Sequence, residues 1–266
     1  YYRTYCTGLP AKHASLSLCF PNRLEDIAVL NASSADWQAQ YLLGCLYYDR
    51  ENYAAAEKAW EASKAGNETF AFTHRNLAQL RYDHKRDAPG ARQALEEALR
   101  LQPENARIVY ELLQLYKNMN DSVKARLAFL SLHQEQVAQR DDCYLEQIIL
   151  LTQDEQYEKA ASLLLKKRFT IYEGGEGKLT RHHTWLWTLR GCESMAHGDV
   201  ETALQRFNAA LEYPPNYGEG RHYSAQEANA HYYAGCAQAQ AGRMEEARAC
   251  WRKAIEEPKQ ITEIRY

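Results

Sequence analysis

The stretch EGGEGKLT, residues 173–180, places several glycines before a lysine and raises the question of a phosphate-binding loop. Such a loop needs a glycine where Tyr172 stands and a serine or threonine directly after Lys178. It also follows a buried parallel strand, whereas this stretch follows a predicted helix and RFTIY. The sequence therefore predicts no nucleotide site here.

The stretch RHH, residues 181–183, together with Arg221 and His222, raises the question of a metal site. Adjacent histidines on a helix point about 100° apart, so His182 and His183 would hardly share one ion. We interpret RHH instead as a solvated helix start. Seven cysteines contain no C-x-x-C pair, and no Ser/His/Asp order, nucleophile elbow or HExxH motif is present. We expect no catalytic residue, no cofactor and no metal, and hence no enzyme in this chain.

The amino-acid composition excludes several classes of binding partner. The 266 residues carry a net charge of −3 and are 45% hydrophobic, as in folded proteins. That charge gives no electrostatic reason to expect nucleic acid or an anionic membrane, and no apolar run approaches the roughly 20 residues of a membrane span. The cysteines fit small buried side chains in a reducing compartment, so we expect a cytoplasmic protein. The opening YYRTYC, without an initiating methionine, predicts a piece of a longer protein.

A pattern of small and aromatic residues recurs three times. A Gly-Cys pair is followed twelve residues after its glycine by alanine, and then, four residues later, by a large aromatic residue. The three sets are Gly44, Ala56, Trp60; Gly191, Ala203, Phe207; and Gly235, Ala247, Trp251. Each set reads as two amphipathic helices joined by a short polar turn. Small residues allow two helices to cross closely, and we expect the aromatic residue to fill the wider gap between neighbouring units. Close packing explains a mid-helix glycine that costs about 1 kcal/mol relative to alanine.

These residues resemble the tetratricopeptide repeat, whose period is about 34 residues. Six copies start near Trp37, Ala71, Ala106, Asp141, Thr184 and Ala228. The resemblance implies an all-α, right-handed superhelix of about six helix-turn-helix units over residues 37–266. Residues 22–36 read as a helix that caps the first repeat. Residues 1–21 read as a non-helical tail of an upstream domain or a linker, in which SLSLCF alternates like a short strand.

A second resemblance is carried by LCFPNRLEDIAVLNA, RDDCYLEQIILL, RFTIYEGGEG and ALEYPPNYGEGR. These tracts look like the C-terminal part of a family of large bacterial proteins. In that family a β-rich, mutarotase-like domain of unknown function precedes tetratricopeptide repeats. The resemblance implies a bacterial cytoplasmic setting and a connection to carbohydrates, and it supplies no catalytic residues.

The first helix of each repeat lines the inner surface of such a superhelix, which predicts a partner-binding groove. Tyrosine and arginine often anchor partner peptides, although the tyrosines could equally well only pack on the superhelix. A carboxylate clamp is not expected, because only Asn76 and Arg107 fit its pattern and Glu111 would repel a carboxylate. The predicted groove residues are Tyr41, Tyr48, Arg75, Asn76, Gln79, Tyr82, Arg107, Tyr110, Gln114, Lys117, Trp185 and Tyr232.

Two long segments, residues 168–183 and 212–226, interrupt the plain repeat just before the fifth and sixth units. Equivalent loops of consecutive units emerge on one edge of a superhelix, so the two segments should meet. The alternative is two flexible connectors. The predicted loop patch comprises Tyr172, Glu173, Glu176, Arg181, Tyr217, Glu219, Arg221 and His222.

Three hypotheses follow for function. The first is a non-catalytic module that binds a protein or peptide, or scaffolds the upstream domain of its own chain. The second is an accessory helical domain of a carbohydrate-active enzyme, which contributes to its substrate site or to domain docking. The third is self-association into a homo-oligomer through the aromatic faces. Groove chemistry varies freely on this fold, so the sequence does not name the ligand.

Overall fold

The computed structural model describes residues 1–9, 16, 19–171, 174–222 and 225–256. Helices dominate these ranges, which contain no β-strand, so the predicted all-α fold is confirmed. The α-helices are α1 Tyr2–Thr7, α2 Glu25–Asn31, α3 Trp37–Asp49, α4 Tyr53–Gly66, α5 Ala71–Asp83, α6 Ala88–Leu101, α7 Ala106–Asn118, α8 Val123–Leu132, α9 Gln134–Gln139, α10 Asp141–Gln153, α11 Tyr157–Lys166, α12 Lys178–Ala196, α13 Val200–Ala209, α14 Ala228–Gln240 and α15 Met244–Glu256.

Short polar side chains start several of these helices. The residue before the helix accepts a hydrogen bond from a backbone N–H of the first turn, which satisfies a donor that has no partner inside the helix. Asp36 does so for α3, Asn52 for α4, Asp87 for α6, Asn105 for α7 and Asp199 for α13. Among the predicted repeat starts, these caps fix those of α3 and α7.

The turn inside each helical pair repeats one backbone conformation. A residue with positive φ follows the first helix of every pair: Glu51, Arg86, Asn120, Glu155, Gly198 and Gly242. Residues other than glycine seldom adopt this left-handed conformation. Its recurrence shows that the turn after the first helix has the same conformation in all six pairs, including the pairs whose sequence pattern is weak.

The small residue and the aromatic residue of the sequence pattern meet inside their pair. A Cβ atom at Gly44 would lie 2.4 Å from Cδ1 of Trp60, and one at Gly191 would lie 2.3 Å from Cε1 of Phe207. Trp60 and Phe207 are buried. The glycines therefore provide the space that the rings occupy inside their own pair, whereas the sequence-based expectation placed the rings between neighbouring units.

The chain divides into two compact units. The first comprises Tyr1–Ser122 and His133–Gln139, and the second comprises Val123–Leu132 and Arg140–Tyr266. In the first unit the core runs from Leu30 of α2 through α3 and α4 to Leu77 and Leu80 of α5. In the second unit one cluster surrounds Ile148, Leu164 and Leu186, and another surrounds Phe207 and Ala237.

Three details differ from the sequence-based expectations. Residues Tyr2–Thr7 form a helix, although the tail was expected to be non-helical. The hydroxyl of Tyr1 donates to Asp36 at 2.8 Å and that of Tyr2 donates to Asp26, and these bonds hold the segment against the region of α2.

The fifth repeat starts at Lys178 rather than near Thr184. The third repeat is not a plain hairpin, because α7 packs against α9 while α8 packs against α10. Residues 15, 17 and 18 of SLSLCF lie outside the described residues.

Candidate functional site

The first unit contains a pocket of about 300 Å³ between α5 and α7, with α6 as its floor. Five of the predicted groove residues line it, namely Arg75, Gln79, Tyr82, Arg107 and Gln114. Its other lining residues are Ala78, Asp83, Ala91, Leu95, Glu111, Leu115 and Asn118. The pocket thus combines an apolar floor with amide, phenol and charged groups around it, as binding sites commonly do.

Glu111 joins the two arginines of this pocket. Its carboxylate accepts two hydrogen bonds from Arg75, with Nε–Oε2 at 2.6 Å, and a third from Nε of Arg107 at 3.0 Å. The forked pairing with Arg75 is the stronger geometry, and the side chain of Arg75 is only 16% exposed. The side chain of Arg107 is 65% exposed. Two guanidinium groups share one carboxylate, so this end of the pocket keeps a local excess of positive charge.

The remaining groove residues of the first unit lie outside the lining of this pocket. Tyr41 packs edge-on against Phe70, and Tyr48 packs against Trp60 and His84. Asn76 donates to the sulfur of Cys45 at 3.5 Å. Tyr110 is half-buried and Lys117 is exposed on α7. Packing among neighbours is therefore the observed role of Tyr41 and Tyr48.

In the second unit, Trp185 of α12 and Tyr232 of α14 are exposed, at 41% and 51%. Tyr232 contacts Tyr233, and its backbone carbonyl accepts a hydrogen bond from the indole of Trp251 at 3.2 Å. They present aromatic surface without forming part of a described pocket.

The two long segments of the second unit meet. Glu219 accepts hydrogen bonds from the backbone N–H groups of Gly177 at 2.9 Å and Thr180 at 3.3 Å. Phe169 donates through its backbone N–H to the carbonyl of Asn216 at 2.9 Å. The Asn216 amide in turn donates to the carbonyls of Leu164 and Lys167. The N-terminus of a helix favours a nearby negative charge, and at the start of α12 the Glu219 carboxylate supplies that charge from within the chain.

The predicted patch residues take different places around this junction. Tyr217 is fully buried, and His222 lies beside Gly177. Arg221 donates to the buried carboxylate of Glu227 at 2.9 Å. Glu176 accepts from the N–H of Gly174 at 2.8 Å, and Arg181 is exposed on α12. Tyr172 and Glu173 lie outside the described residues.

His182 and His183 are buried, so the predicted solvated helix start is wrong. His183 is 1% exposed; one ring nitrogen lies 2.8 Å from the hydroxyl of Tyr217 and the other 2.8 Å from the carbonyl of Ala209. His182 lies 3.1 Å from the hydroxyl of Thr152. Burial lowers the pKa of His183 to about 4 and that of His182 to about 3. Sequence reasoning missed this polar network because its partners lie about 30 residues away in the chain.

Removing the carboxylate of Glu219 tests how the start of α12 is held. We expect Glu219→Ala to destabilise the second unit by about 1 kcal/mol, the usual cost of losing a helix cap. Amide hydrogen exchange at Gly177 and Thr180 should accelerate, while exchange in the middle of α12 changes only with global stability. Glu176→Ala is the matched control, because the hydrogen bond of Glu176 to the described residues is to Gly174 in its own segment. Equal exchange in both variants would contradict the capping role.

Within the described ranges, no group of three or more His, Cys, Asp or Glu residues is placed to hold a metal ion. A search of the same residues finds no helix long and apolar enough to cross a bilayer.

Comparison with known proteins agrees with the helical pairs. A model of the tetratricopeptide repeat matches residues 188–260. The C-terminal part of a TPR repeat-containing protein from Cytophaga hutchinsonii shares 14% identity, over 89% of this chain and 91% of that one, with a TM-score of 0.60. A chain in the structure of Naa15/Naa10 bound to HypK-THB shares 13% identity, over 86% of this chain, with a TM-score of 0.53. The match spans 33% of that chain.

The described residues therefore have an all-α fold of the tetratricopeptide-repeat type, and residues 188–260 match the repeat itself. At such low identity the likeness concerns the fold, and function has to be argued from the residues of this chain.

Proposed function

We propose that this chain is a non-catalytic protein-interaction module, and that the pocket between α5 and α7 is where it holds an extended segment of a partner. The observation that carries the proposal is the convergence of Arg75, Gln79, Tyr82, Arg107 and Gln114 around one pocket of about 300 Å³. Arginine and tyrosine in such a pocket are the residue types that most often dominate the free energy of binding.

The polar groups of the pocket suit a peptide. Gln79, Gln114 and Asn118 carry amides that both donate and accept hydrogen bonds, as the backbone of a peptide requires. The side-chain nitrogen of Gln114 is buried and has no hydrogen-bond partner among the described residues. Ala78, Leu95 and Leu115 supply an apolar floor for one side chain of the partner.

A second candidate is intramolecular. The resemblance to large bacterial proteins supports an upstream β-rich domain, and the surface where residues 168–171 and 174–183 meet the 212–222 segment would dock it. The observation that favours this candidate is the set of hydrogen bonds that lock the two segments together, because a fixed surface loses little entropy on docking. In this proposal the chain is a scaffold within a cytoplasmic parent protein, and it serves as the accessory helical domain of a carbohydrate-active enzyme.

Binding in the groove is tested by removing side chains while Glu111 keeps its ion pair with Arg75. Reversing the charge of Arg75 would leave the Glu111 carboxylate beside a second negative charge, so Arg75 is kept. We expect the double variant Tyr82→Ala, Arg107→Ala to lower partner binding at least ten-fold, or about 1.4 kcal/mol. Arg100→Ala is the matched control, since Arg100 is an exposed arginine of α6 that pairs with Glu97.

The binding partner is identified with a photo-crosslinking residue, benzoylphenylalanine, in place of Gln79, and the same residue in place of Arg100 is the control. Proteins that crosslink from position 79 alone are then purified, and their affinities for wild-type and variant chains are measured. Crosslinks that are equal from both positions, or affinities that the double variant leaves unchanged, would exclude the groove. Thermal unfolding of each variant shows whether the fold is retained.

A further inference from the structure

The second unit contains another pocket, of about 270 Å³, that neither the groove nor the loop patch includes. It lies where the end of α11, the middle of α12 and the chain that follows α13 come together. Its lining residues are Leu165, His183, Trp187, Ala209, Glu212, Tyr213 and Pro214. Aromatic and aliphatic groups thus form most of the wall, and one carboxylate stands among them.

Glu212 gives this pocket its charge. Glu212 is exposed, and its carboxylate forms no hydrogen bond or ion pair with the described residues. The helix α13 ends at Ala209, so the negative end of its dipole adds to the same field. His183 contributes no positive charge at neutral pH, because burial lowers its pKa to about 4. The pocket is therefore electrostatically negative.

Arg190 lies next to the pocket without lining it. The guanidinium carbon of Arg190 lies 4.5 Å from the ring centroid of Trp187, and Arg190 is paired with Glu158. This stacking shows that the Trp187 ring accepts a cation, as indole rings do best among the aromatic side chains. Because Glu158 balances Arg190, the pair leaves the charge of Glu212 uncompensated.

We propose that this pocket binds the side chain of a lysine from a partner protein. Aromatic rings attract an ammonium group, aliphatic walls cover its four-carbon stem, and Glu212 supplies the opposite charge. The nearby carbonyls of Ala209 and Ala210 already accept hydrogen bonds from His183 and Thr184. A guanidinium group carries five hydrogen-bond donors in a planar fork, and several of them would find no acceptor in this pocket. An ammonium group carries three donors and therefore needs fewer acceptors. This site is separate from the groove of the first unit and does not depend on it.

The test uses the whole chain, labelled with ¹⁵N in its tryptophan side chains. The indole N–H signal of Trp187, assigned with a Trp187→Phe variant, reports on the pocket. The probes are the Nα-acetyl methylamides of lysine, norleucine and arginine; norleucine keeps an unbranched aliphatic stem without the charge. We expect the lysine probe to shift the Trp187 signal saturably, with a dissociation constant in the millimolar range.

The contributions of the ammonium charge and of the aliphatic stem to binding are then measured separately. We expect the norleucine probe to bind at least five-fold more weakly than lysine, and Glu212→Gln to weaken lysine binding by a similar factor. Glu155→Gln, an exposed carboxylate of the same unit outside the pocket, should leave binding unchanged. Equal binding of norleucine, tighter binding of arginine, an unaffected Glu212→Gln variant or the absence of any shift would each overturn the proposal. Thermal unfolding of Glu212→Gln establishes that the unit remains folded.

Discussion

Replacing Gly44 or Gly191 by alanine is expected to destabilise its unit by about 2 kcal/mol. Overpacking a tight core typically costs about 1–3 kcal/mol, and each new methyl group would lie within 2.4 Å of a buried ring. Alanine also favours a helix over glycine by about 1 kcal/mol, which offsets part of that cost. A net loss at these two positions would therefore show that the close approach of helix and ring dominates over helix propensity.

Two other glycines serve as graded controls. A methyl group at Gly235 would lie 2.4 Å from Nε1 of Trp251, but Trp251 is only half-buried and can move towards solvent. We expect Gly235→Ala to cost less than about 1 kcal/mol. Gly220 has no atom within 4 Å of the corresponding position, so Gly220→Ala should change stability by less than about 0.5 kcal/mol.

Urea unfolding followed by circular dichroism measures all four variants. A second comparison places Gly44→Ala in a Trp60→Ala background, where the ring is absent and the alanine should stabilise the helix by up to about 1 kcal/mol. The same cost with and without the ring would contradict the packing explanation. A stabilising effect of Gly44→Ala in the wild-type chain would contradict it as well.

The sequence predicted the repeats well because their signals are local. Trp37, Ala71, Ala106, Asp141 and Ala228 begin helices as expected, and the glycine and aromatic residues of the pattern lie in one helical pair. The starts of α3 and α7 depend on a polar cap directly before the helix, and the apolar and small residues of the repeat recur at a fixed spacing. A single sequence contains both kinds of information.

The start of the fifth repeat could not be found in this way. The helix α12 begins at Lys178, and the carboxylate that caps it belongs to Glu219, 42 residues after Gly177 in the chain. The burial of His182 and His183 could not be predicted for the same reason, since their partners Thr152, Tyr217 and Ala209 come from other segments. Only tertiary packing reveals such partners.

The candidate groove was predictable in part. A helical stripe placed Arg75, Gln79 and Tyr82 on one side of α5, and the structure brings them to one pocket. The stripe could not show that Glu111 pairs with both Arg75 and Arg107. Sequence spacing gives the direction of a side chain along a helix, whereas the ion pair depends on the distance between two helices.

Acidification from pH 6.5 to 4.5 is expected to lower the free energy of unfolding of the second unit by roughly 2 kcal/mol for each of His182 and His183. In the unfolded chain both histidines have a pKa near 6.5, and burial lowers it to about 3 and about 4 in the fold. The unfolded state therefore binds protons that the folded state does not, throughout this window. The stabilisation is complete above pH 6.5 and is lost as the pH falls towards the lower pKa values.

Urea unfolding of the second unit at a series of pH values measures this slope. His182→Gln keeps a polar group near Thr152 and removes one titrating site, so the loss between pH 6.5 and 4.5 should fall by about half. His197→Gln is the matched control, because His197 is an exposed histidine that ends the same helix. If His182→Gln kept the same slope as the wild-type chain, the burial of His182 would not be an origin of the acid sensitivity. A reduced slope in His197→Gln as well would assign the loss to exposed histidines instead of the buried ring.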